Sequence, residues 1–418
     1  MEYECTPQEE ILSRIARFQE LLQGNDIAGA LISQNADLFY FAGTIQPSSL
    51  FIPAQGEPVL AVQGNLDRAL DESRLGQIVP LKNSHQLDQA LSDFNYSIRG
   101  RVGLEMDVLP VRHYFVLCQD FPEADFLDIS ELIRKVRMVK SEYEILQIRK
   151  AAEILNQVMG EAQRSIRPGM TELDVESILG ALARRLGHQG RLRMRGYNQE
   201  MFYAHIFCGK TAALPSFMKT PLGGSGTTPA IAQGASFNTI AENEPLVIDF
   251  GVGINGYVTD MTRTFVIGEL PQELAKAYSF AKEVKDFMEH WVRPGRYCSL
   301  LYEQVIELAH EGGYQDYFMG YKEHQVPFVG HGLGLEIDEY PLIAPNFHQE
   351  FQENMVFAFE PKLVFPGVGA IGVEDDYLVT RTGVERLTTY DDQVLTIDYP
   401  EIASGSTEPT KGGQSRLR

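Results

Sequence analysis

Hydrophobic and polar positions along the first 130 residues alternate between helical and strand-like spacing. One face of a predicted helix, which follows Pro7 and ends at Gly24, is lined by Ile11, Ile15, Phe18 and Leu22. Short apolar runs then predict strands at Ile27–Ser33, Leu38–Ala42 and Val59–Val62. This alternation continues to about residue 130 and is typical of a small α/β domain.

The pattern changes near residue 138, where we expect a domain boundary. Ser141 and Glu144 have the spacing of a capping box, and the helix that follows buries one apolar face. The sequence therefore predicts one domain over residues 1–138 and a second over residues 139–400. Residues 401–418 are rich in Gly, Ser, Thr and Pro, which indicates a polar tail.

The second domain contains a short internal repeat. Arg167-Pro168-Gly169 and Arg293-Pro294-Gly295 each stand between two predicted helices, and β-rich sequence with two spaced acids follows each helix pair. Two similar halves that face each other would bring both acid pairs into one central cleft.

The first acid pair belongs to a predicted hairpin. Asn255-Gly256 separates two apolar runs, and a two-residue turn there places Gly251 opposite Asp260. Asp249 and Asp260 then lie on the same sheet face as diagonal neighbours, roughly 7–8 Å apart at the backbone. Two like charges at this separation are costly unless a cation lies between them.

The second acid pair flanks a predicted turn centred on Gly367, which would place Glu360 directly opposite Glu374. An acid within an otherwise apolar strand costs free energy of folding unless its charge is compensated. Two divalent cations would neutralise the four carboxylates. His331, with Gly330 and Gly332 beside it, offers one nitrogen ligand where the backbone can approach closely.

Oxygen-rich ligands with one imidazole suit Mn, Co, Fe or Zn better than a structural zinc ion, which prefers Cys and His. Two such ions lower the pKa of a shared water toward ~7 and supply a bridging hydroxide nucleophile. The residues therefore predict a two-metal hydrolase.

Composition indicates which binding partners and which cellular compartment to expect. The formal net charge of -21 repels nucleic acid and anionic membranes, and no apolar run approaches the ~18 residues needed to span a bilayer. The acidic N-terminus lacks the features of a signal peptide. We expect free thiols, and hence a cytoplasmic protein, because no pairing pattern links Cys5, Cys118, Cys208 and Cys298.

The motifs around these acids resemble the pita-bread metallopeptidases, the family of aminopeptidase P, prolidase and methionine aminopeptidase. The matching segments are Asp249-Phe250-Gly251, Thr259-Asp260-Met261-Thr262, Gly330-His331-Gly332, Phe359-Glu360-Pro361 and Val373-Glu374-Asp375. The helix start at Lys140-Ser141 is similar to the prolidase and aminopeptidase P branch. The resemblance implies an α+β fold, in which a pita-bread domain with a pseudo-twofold repeat follows a smaller α/β creatinase-like domain.

The resemblance also implies roles for the five residues. Asp249 would bind one of two divalent metal ions (Mn, Co or Zn) and His331 the other. Asp260 and Glu374 would bridge the ions, and Glu360 would be both a ligand and the general base. A homodimer is implied as well, in which the N-terminal domain of one subunit borders the cleft of the other.

Three positions depart from the family pattern. Ser216 and Asp338 stand where the family usually has histidines, and Gly372 stands where it has an arginine. Those groups help to hold the substrate and move protons, so we include Ser216 and Asp338 among the candidate catalytic residues. An anionic Asp338 would favour a neutral or cationic substrate group, which suggests a substrate other than a routine Xaa-Pro dipeptide.

Three functions remain open from the sequence. The leading interpretation is an Xaa-Pro dipeptidase or aminopeptidase P-like enzyme that acts on small peptides. The second is an amide or amidino hydrolase of a small metabolite, similar to creatinase or ectoine hydrolase. The third is a non-catalytic peptide-binding pita-bread module; such modules have typically lost metal ligands, and this chain has all five.

Overall fold

The computed structural model describes residues 4–398. Its N-terminal part is a six-stranded sheet in the order β4-β3-β2-β1-β5-β6, flanked by helices. Its elements are α1 (Gln8–Gly24), β1 (Gly29–Ile32), α2 (Asn35–Ala42), β2 (Ser48–Pro53), β3 (Val59–Val62), α3 (Leu66–Glu72), β4 (Gln77–Pro80), α4 (Leu87–Ser92), β5 (Gly100–Leu104), α5 (Val111–Asp120), β6 (Ala124–Asp128) and α6 (Ser130–Met138).

The strand predicted at Leu38–Ala42 is wrong, because these residues form most of α2. The side chain of Gln34 accepts hydrogen bonds from the N–H groups of Ala36 and Asp37, and Gly43 ends the helix in the left-handed conformation with φ 73°. Five consecutive apolar residues fit a buried helix as well as a buried strand. The caps on either side therefore decide the conformation.

The described C-terminal part contains three sheets, antiparallel except for the parallel pair of β9 and β17, and they are covered by long helices. Its elements are α7 (Glu142–Ser165), α8 (Glu172–Arg185), β7 (Ala204–Cys208), β8 (Pro245–Ile254), β9 (Tyr257–Val266), α9 (Gln272–Trp291), α10 (Cys298–Glu311), β10 (Gly330–Gly332), β11 (Glu339–Ile343), β12 (Val356–Phe359), β13 (Lys362–Phe365), β14 (Gly369–Gly372), β15 (Asp375–Val379), β16 (Val384–Arg386) and β17 (Leu395–Thr396). One sheet has the order β17-β9-β8-β7, another β11-β10-β12-β15-β16, and β13 pairs with β14.

The predicted internal repeat is visible in two turns that are built alike. Gly169 lies between α7 and α8 with φ 83°, and Gly295 lies between α9 and α10 with φ 86°. The N–H of Gly169 donates to the carbonyl of Ile240, and that of Gly295 donates to the carbonyl of Phe351, both at 2.9 Å. The two halves of this domain therefore use the same connection between their helices.

The two parts of the chain meet in the short connection between α6 and α7, and we propose the domain boundary at residues 138–139 within it. The predicted capping box is present: Ser141 Oγ accepts from the N–H of Glu144 at 3.2 Å, and the Glu144 carboxylate accepts from the N–H of Ser141 at 3.0 Å. The predicted tail at residues 401–418 lies outside the described residues.

A buried ionic network ties the N-terminal part to the loop that carries Asp338. Arg137 forms ion pairs with Asp37 (2.6 Å), Glu336 (2.9 Å) and Glu339 (2.5 Å). Lys140 adds a contact to Glu339 at 2.8 Å. Because these side chains are almost completely buried, each depends on its partners for charge compensation. The network fixes the segment between β10 and β11 against α6.

Candidate metal centre

The β8–β9 hairpin brings the two aspartates together as predicted. Gly251 lies opposite Asp260, and Asp249 lies opposite Thr262, so the aspartates are diagonal neighbours. The turn at Asn255-Gly256 uses positive φ angles of 49° and 90°, which Asn and Gly adopt at low cost. The register of this hairpin therefore sets the spacing of the first acid pair.

The β13–β14 hairpin aligns the two glutamates. Lys362 lies opposite Gly372 and Phe365 opposite Gly369, around a turn in which Gly367 has φ 77°. The same register, continued beyond the strand ends, places Glu360 opposite Glu374. The prediction from the turn position is thus confirmed.

His331 comes from an interior strand of a different sheet. It lies in β10, between Leu342 of β11 and Ala358 of β12. Its Nε2 atom is 3.8 Å from Oε1 of Glu360 and 3.9 Å from Oε1 of Glu374. Ligand atoms of Asp260, His331 and Glu374 all lie within 4.8 Å of one another, close enough to share one metal ion. The structure therefore brings Asp260, His331, Glu360 and Glu374 close together, and Asp249 joins Glu360 and Glu374 through a shared lysine.

A lysine that the sequence interpretation missed also lies at this point. The ammonium of Lys362 donates to Oδ2 of Asp249 (3.0 Å), Oε2 of Glu360 (2.7 Å) and Oε2 of Glu374 (2.9 Å). Only 2% of its side chain is exposed. The signal was available: residue 362 is two positions after Glu360, and alternate strand residues share a face. The ammonium of Lys362 therefore compensates part of the negative charge that the sequence analysis assigned to metal ions alone.

The pKa values of three carboxyl groups in this cluster are shifted from their ordinary values. Burial raises the pKa of Glu374 to about 7, and the adjacent carboxylate of Glu360 adds to this while Lys362 opposes it. The pKa of Asp260 is raised well above its ordinary value by burial and by the carboxylates of Glu374 and Asp249. Burial acts in the same direction on Asp249, but Lys362 outweighs it and leaves the pKa lowered. On the Asp260 side, the excess of buried negative charge favours a bound cation.

The donor set fits a divalent ion on the side of His331. Asp260, His331 and Glu374 offer carboxylate oxygens and an imidazole, the ligands that Mn, Co and Zn accept. On the opposite side of the cluster, Asp249 and one oxygen of each glutamate bond to Lys362. The residues thus fit one ion directly, and a second ion only if Lys362 moves.

The cluster forms part of the lining of a cavity of about 730 Å³. Its walls are mainly apolar and include Met201, Phe202, Phe217, Phe328 and Leu342. This volume is within the usual range of about 300–1,000 Å³ for small-molecule sites. The cavity can therefore enclose a short peptide or a small amide.

The two remaining candidate residues differ in position. Asp338 lines the cavity, and the surrounding protein raises its pKa while the nearby His331 opposes this shift. Ser216 is not among the described residues that line the cavity; its Oγ accepts from the N–H of Met218 at 3.0 Å within a local turn. His205 lies in β7 opposite Asp249 and also lines the cavity.

Two protein-family models match the chain. The model of metallopeptidase family M24 matches residues 146–381, more than half of the chain. The chain belongs to metallopeptidase family M24. The model of the creatinase/prolidase N-terminal domain matches residues 14–139. The predicted family and the combination of a creatinase-like domain with a pita-bread domain are confirmed. The chain is a peptide-hydrolysing enzyme, and M24 membership implies divalent metal ions.

Related sequences extend over nearly the whole chain. An Xaa-Pro dipeptidase from Lactobacillus delbrueckii subsp. lactis is 28% identical over 385 residues, which cover 89% of this chain and 95% of the relative. An Xaa-Pro dipeptidase from Pyrococcus furiosus is 26% identical, with 91% of this chain and 99% of the relative covered. The similarity to these M24 proteins therefore includes both domains.

Solved structures agree with this assignment. A prolidase from Pyrococcus horikoshii superimposes with a TM-score of 0.76 at 25% identity and covers 92% of this chain and 100% of its own. An Xaa-Pro dipeptidase from Bacillus anthracis has a TM-score of 0.78 at 23% identity, with 92% and 99% covered, and supports the fold. None of the helices within residues 4–398 has the length and apolar character needed to cross a bilayer.

Proposed function

We propose that this M24 enzyme hydrolyses the Xaa-Pro bond of short peptides. The observation that carries the proposal is that one cavity with mainly apolar walls is lined by all five predicted residues, Asp249, Asp260, His331, Glu360 and Glu374. The M24 relatives named as Xaa-Pro dipeptidases support the choice of bond. A proline ring is compact and apolar, and the aromatic and methionine side chains of the walls match it chemically.

We further propose a metal centre built from these five residues, with Mn, Co or Zn as the ion. Asp260, His331, Glu360 and Glu374 each have a ligand atom on the His331 side, whereas Asp249 bonds to Lys362. When bound, a divalent ion polarises the substrate carbonyl and makes water more acidic. A centre with two ions, as first expected, requires Lys362 to give up its contacts with three carboxylates. The ligand set on the His331 side needs no such change.

Glu360 is the general base in this proposal. Its Oε2 accepts from Lys362, while its Oε1 lies on the His331 side, where a water molecule and the substrate carbonyl would meet. A carboxylate held in one orientation within reach of the attacking water can accept its proton. Lys362 and the hairpin register keep Glu360 in this orientation.

Asp338 and Lys219 give the cavity opposite charges at different places. Asp338 stands close enough to His331 for their charges to interact, and it would bind the α-ammonium of a dipeptide. Lys219 lies in the lining between β7 and β8 and would bind the terminal carboxylate. A free dipeptide carries both charges. We keep Asp338 as a substrate-binding candidate and assign Ser216 no direct contact with the reacting atoms.

A second candidate function is hydrolysis of a small amide or amidino compound. The specific observation in its favour is Asp338 in the lining of the cavity that also contains His331, because a carboxylate there also suits a neutral or cationic group of a metabolite. Such a substrate would not need the positive charge of Lys219. Comparing dipeptides with small amides therefore separates the two functions.

The assembly and the compartment also remain proposals. We propose a homodimer in which the N-terminal domain of one subunit borders the cleft of the other. A cytoplasmic location is consistent with the four cysteines, all within the described residues and all free thiols. Sedimentation of the purified protein tests the first proposal.

The proposed activity is tested with the purified protein, loaded with Mn²⁺ or Co²⁺, on matched substrates. Ala-Pro should be cleaved much faster than Ala-Ala, Ala-Pro amide and small guanidino or amide metabolites. The Glu360→Gln variant, prepared in the same way, controls for contaminating peptidases. Faster turnover of a metabolite amide than of any Xaa-Pro peptide would overturn the proposal in favour of the second candidate.

A further inference from the structure

The carboxylate cluster is divided into two halves by its two glutamates. Glu360 directs Oε2 toward the ammonium of Lys362 (2.7 Å) and Oε1 toward Nε2 of His331 (3.8 Å). Glu374 is oriented in the same way: its Oε2 lies 2.9 Å from the ammonium of Lys362, and its Oε1 lies 3.9 Å from Nε2 of His331. Each glutamate therefore faces one positively charged amine and one potential metal ligand.

The half around Lys362 is complete as it stands. Three carboxylate oxygens, one each from Asp249, Glu360 and Glu374, surround the ammonium within 3.0 Å. An ammonium has three N–H donors, so these contacts use all of them. Thr262 also donates to Oε2 of Glu374, at 2.6 Å, and this oxygen is fully engaged.

The backbone and the neighbouring strand hold Lys362 in this position. Lys362 begins β13, and its carbonyl accepts from the N–H of Met319 at 2.8 Å. Across the hairpin, Gly372 offers no side chain, and a Cβ there would lie 2.6 Å from Cγ of Lys362. The space that Gly372 leaves is therefore occupied by the aliphatic part of the lysine.

The half around His331 has a different composition. Asp260, His331 and Glu374 present ligand atoms within 4.8 Å of one another, and Oε1 of Glu360 lies on the same side. The imidazole and the oxygens suit a divalent transition-metal ion. Lys362 bonds to the opposite oxygens of both glutamates and does not compete for these ligands.

We propose that the ammonium of Lys362 takes the place of one of two cations, so that this M24 chain binds a single divalent ion, on the His331 side. The inference rests on the proposed metal centre but not on the choice of peptide bond. Asp249 then serves as a partner of Lys362 and not as a metal ligand.

The number of ions is measured by isothermal titration of the metal-free full-length protein with Mn²⁺, together with elemental analysis after desalting. One tightly bound Mn²⁺ per chain is expected. Electron paramagnetic resonance provides an independent readout, because an isolated Mn²⁺ gives a spectrum without exchange coupling. Two tightly bound ions per chain with an exchange-coupled spectrum would overturn the inference, and so would the absence of tight Mn²⁺ binding.

Variants at position 362 test the role of the charge. Lys362→Met removes the ammonium and should raise the number of tightly bound ions from one to two. Lys362→Arg keeps a positive charge and should leave the number at one, as should Lys276→Met, which changes an exposed lysine of α9. If Lys362→Met still bound one ion, Lys362 would not be the substitute for the second.

If the Lys362→Met variant is unstable without metal, thermal unfolding tests the same inference. Saturating Mn²⁺ should then raise the melting temperature of this variant more than that of the wild type, because it lacks the internal cation. An equal rise in both proteins would contradict the inference. One ion per chain without cleavage of Xaa-Pro peptides would refute the proposed function alone, whereas two ions with cleavage would refute this inference alone.

Discussion

Lys362 and Gly372 lie directly opposite each other in the β13–β14 hairpin, and a Cβ on Gly372 would approach Cγ of Lys362 to 2.6 Å. The lysine thus depends on the glycine for the space through which it reaches the carboxylate cluster. Gly372 is also the position where the family resemblance leads to an expected arginine. Compared with that family pattern, this chain carries the positive charge on β13 and not on β14. The ammonium of Lys362 contacts Asp249, Glu360 and Glu374.

The dependence of Lys362 on Gly372 predicts the effect of a small substitution. Gly372→Ala should lower the free energy of unfolding by about 1–3 kcal/mol, because the added methyl group overpacks a buried strand pair. The measurement is urea denaturation of the metal-free protein. Gly24→Ala is the matched control, because a Cβ at that helix end meets nothing within 4 Å. Equal stability of Gly372→Ala and the wild type would show that Lys362 is not confined by the glycine.

Removing the proposed general base should affect turnover far more than binding. Glu360→Gln keeps the size of the side chain but cannot accept a proton from water, so we expect kcat to fall about 10²–10⁴-fold. KM for Ala-Pro should change little. The control is Glu303→Gln, which alters an exposed glutamate of α10 and should retain wild-type kinetics. A Glu360→Gln variant with near-normal kcat would require another base.

The charge of Lys219 should matter only for substrates with a free carboxylate. Lys219→Met is expected to raise KM for Ala-Pro about tenfold, the usual scale for the loss of one hydrogen bond to a charged group. KM for Ala-Pro amide, which lacks that carboxylate, should stay close to the wild-type value. Equal effects on both substrates would place the terminal carboxylate elsewhere in the cavity.

The buried ionic network that Glu339 forms with Arg137 and Lys140 should make the free energy of unfolding depend on pH. Burial acts to raise the pKa of Glu339, but Arg137 and Lys140 outweigh it and lower the pKa to about 2 from an ordinary 4.5. The ionised Glu339 therefore stabilises the fold fully above about pH 4.5, and this contribution is lost as the pH falls toward 2. Glu339→Gln should lower the free energy of unfolding by about 3–5 kcal/mol at pH 7.

The same variant tests the sign of this dependence. Urea denaturation between pH 7 and pH 3 should show the difference between wild type and Glu339→Gln shrinking as the pH falls below about 4.5. Taking the difference cancels the groups that titrate equally in both proteins. Glu323→Gln, at an exposed position, is the control and should show no such trend. A constant difference at all pH values would mean that the charge of Glu339 is not what stabilises the network.

Local turn chemistry explains why much of the site could be predicted from the sequence. Asn255-Gly256 determines the register of β8 and β9, and with it the relation of Asp249 to Asp260. A turn at Gly367 does the same for Glu360 and Glu374. These spacings depend on a few residues and a two-residue period, so they require no knowledge of distant contacts.

The errors arose where distant contacts or equal local preferences decide the outcome. The apolar run from Leu38 to Ala42 fits a strand or a helix, and the caps at Gln34 and Gly43 select the helix. The two-residue period places Lys362 on the same face as Glu360, but its contacts with Asp249 and Glu374 join residues that are distant in the sequence. Ser216 was chosen from the family resemblance alone and stays a prediction; its Oγ accepts a hydrogen bond from the N–H of Met218.

The central claim, that this carboxylate–imidazole cluster is a metal-dependent peptidase centre, is tested most directly by removing and restoring the metal. The protein is stripped with a chelator, desalted and assayed on Ala-Pro before and after addition of Mn²⁺. Hydrolysis should be absent from the stripped protein and should return in proportion to the Mn²⁺ bound, up to saturation. Full activity in protein shown by elemental analysis to be free of metal would contradict the account.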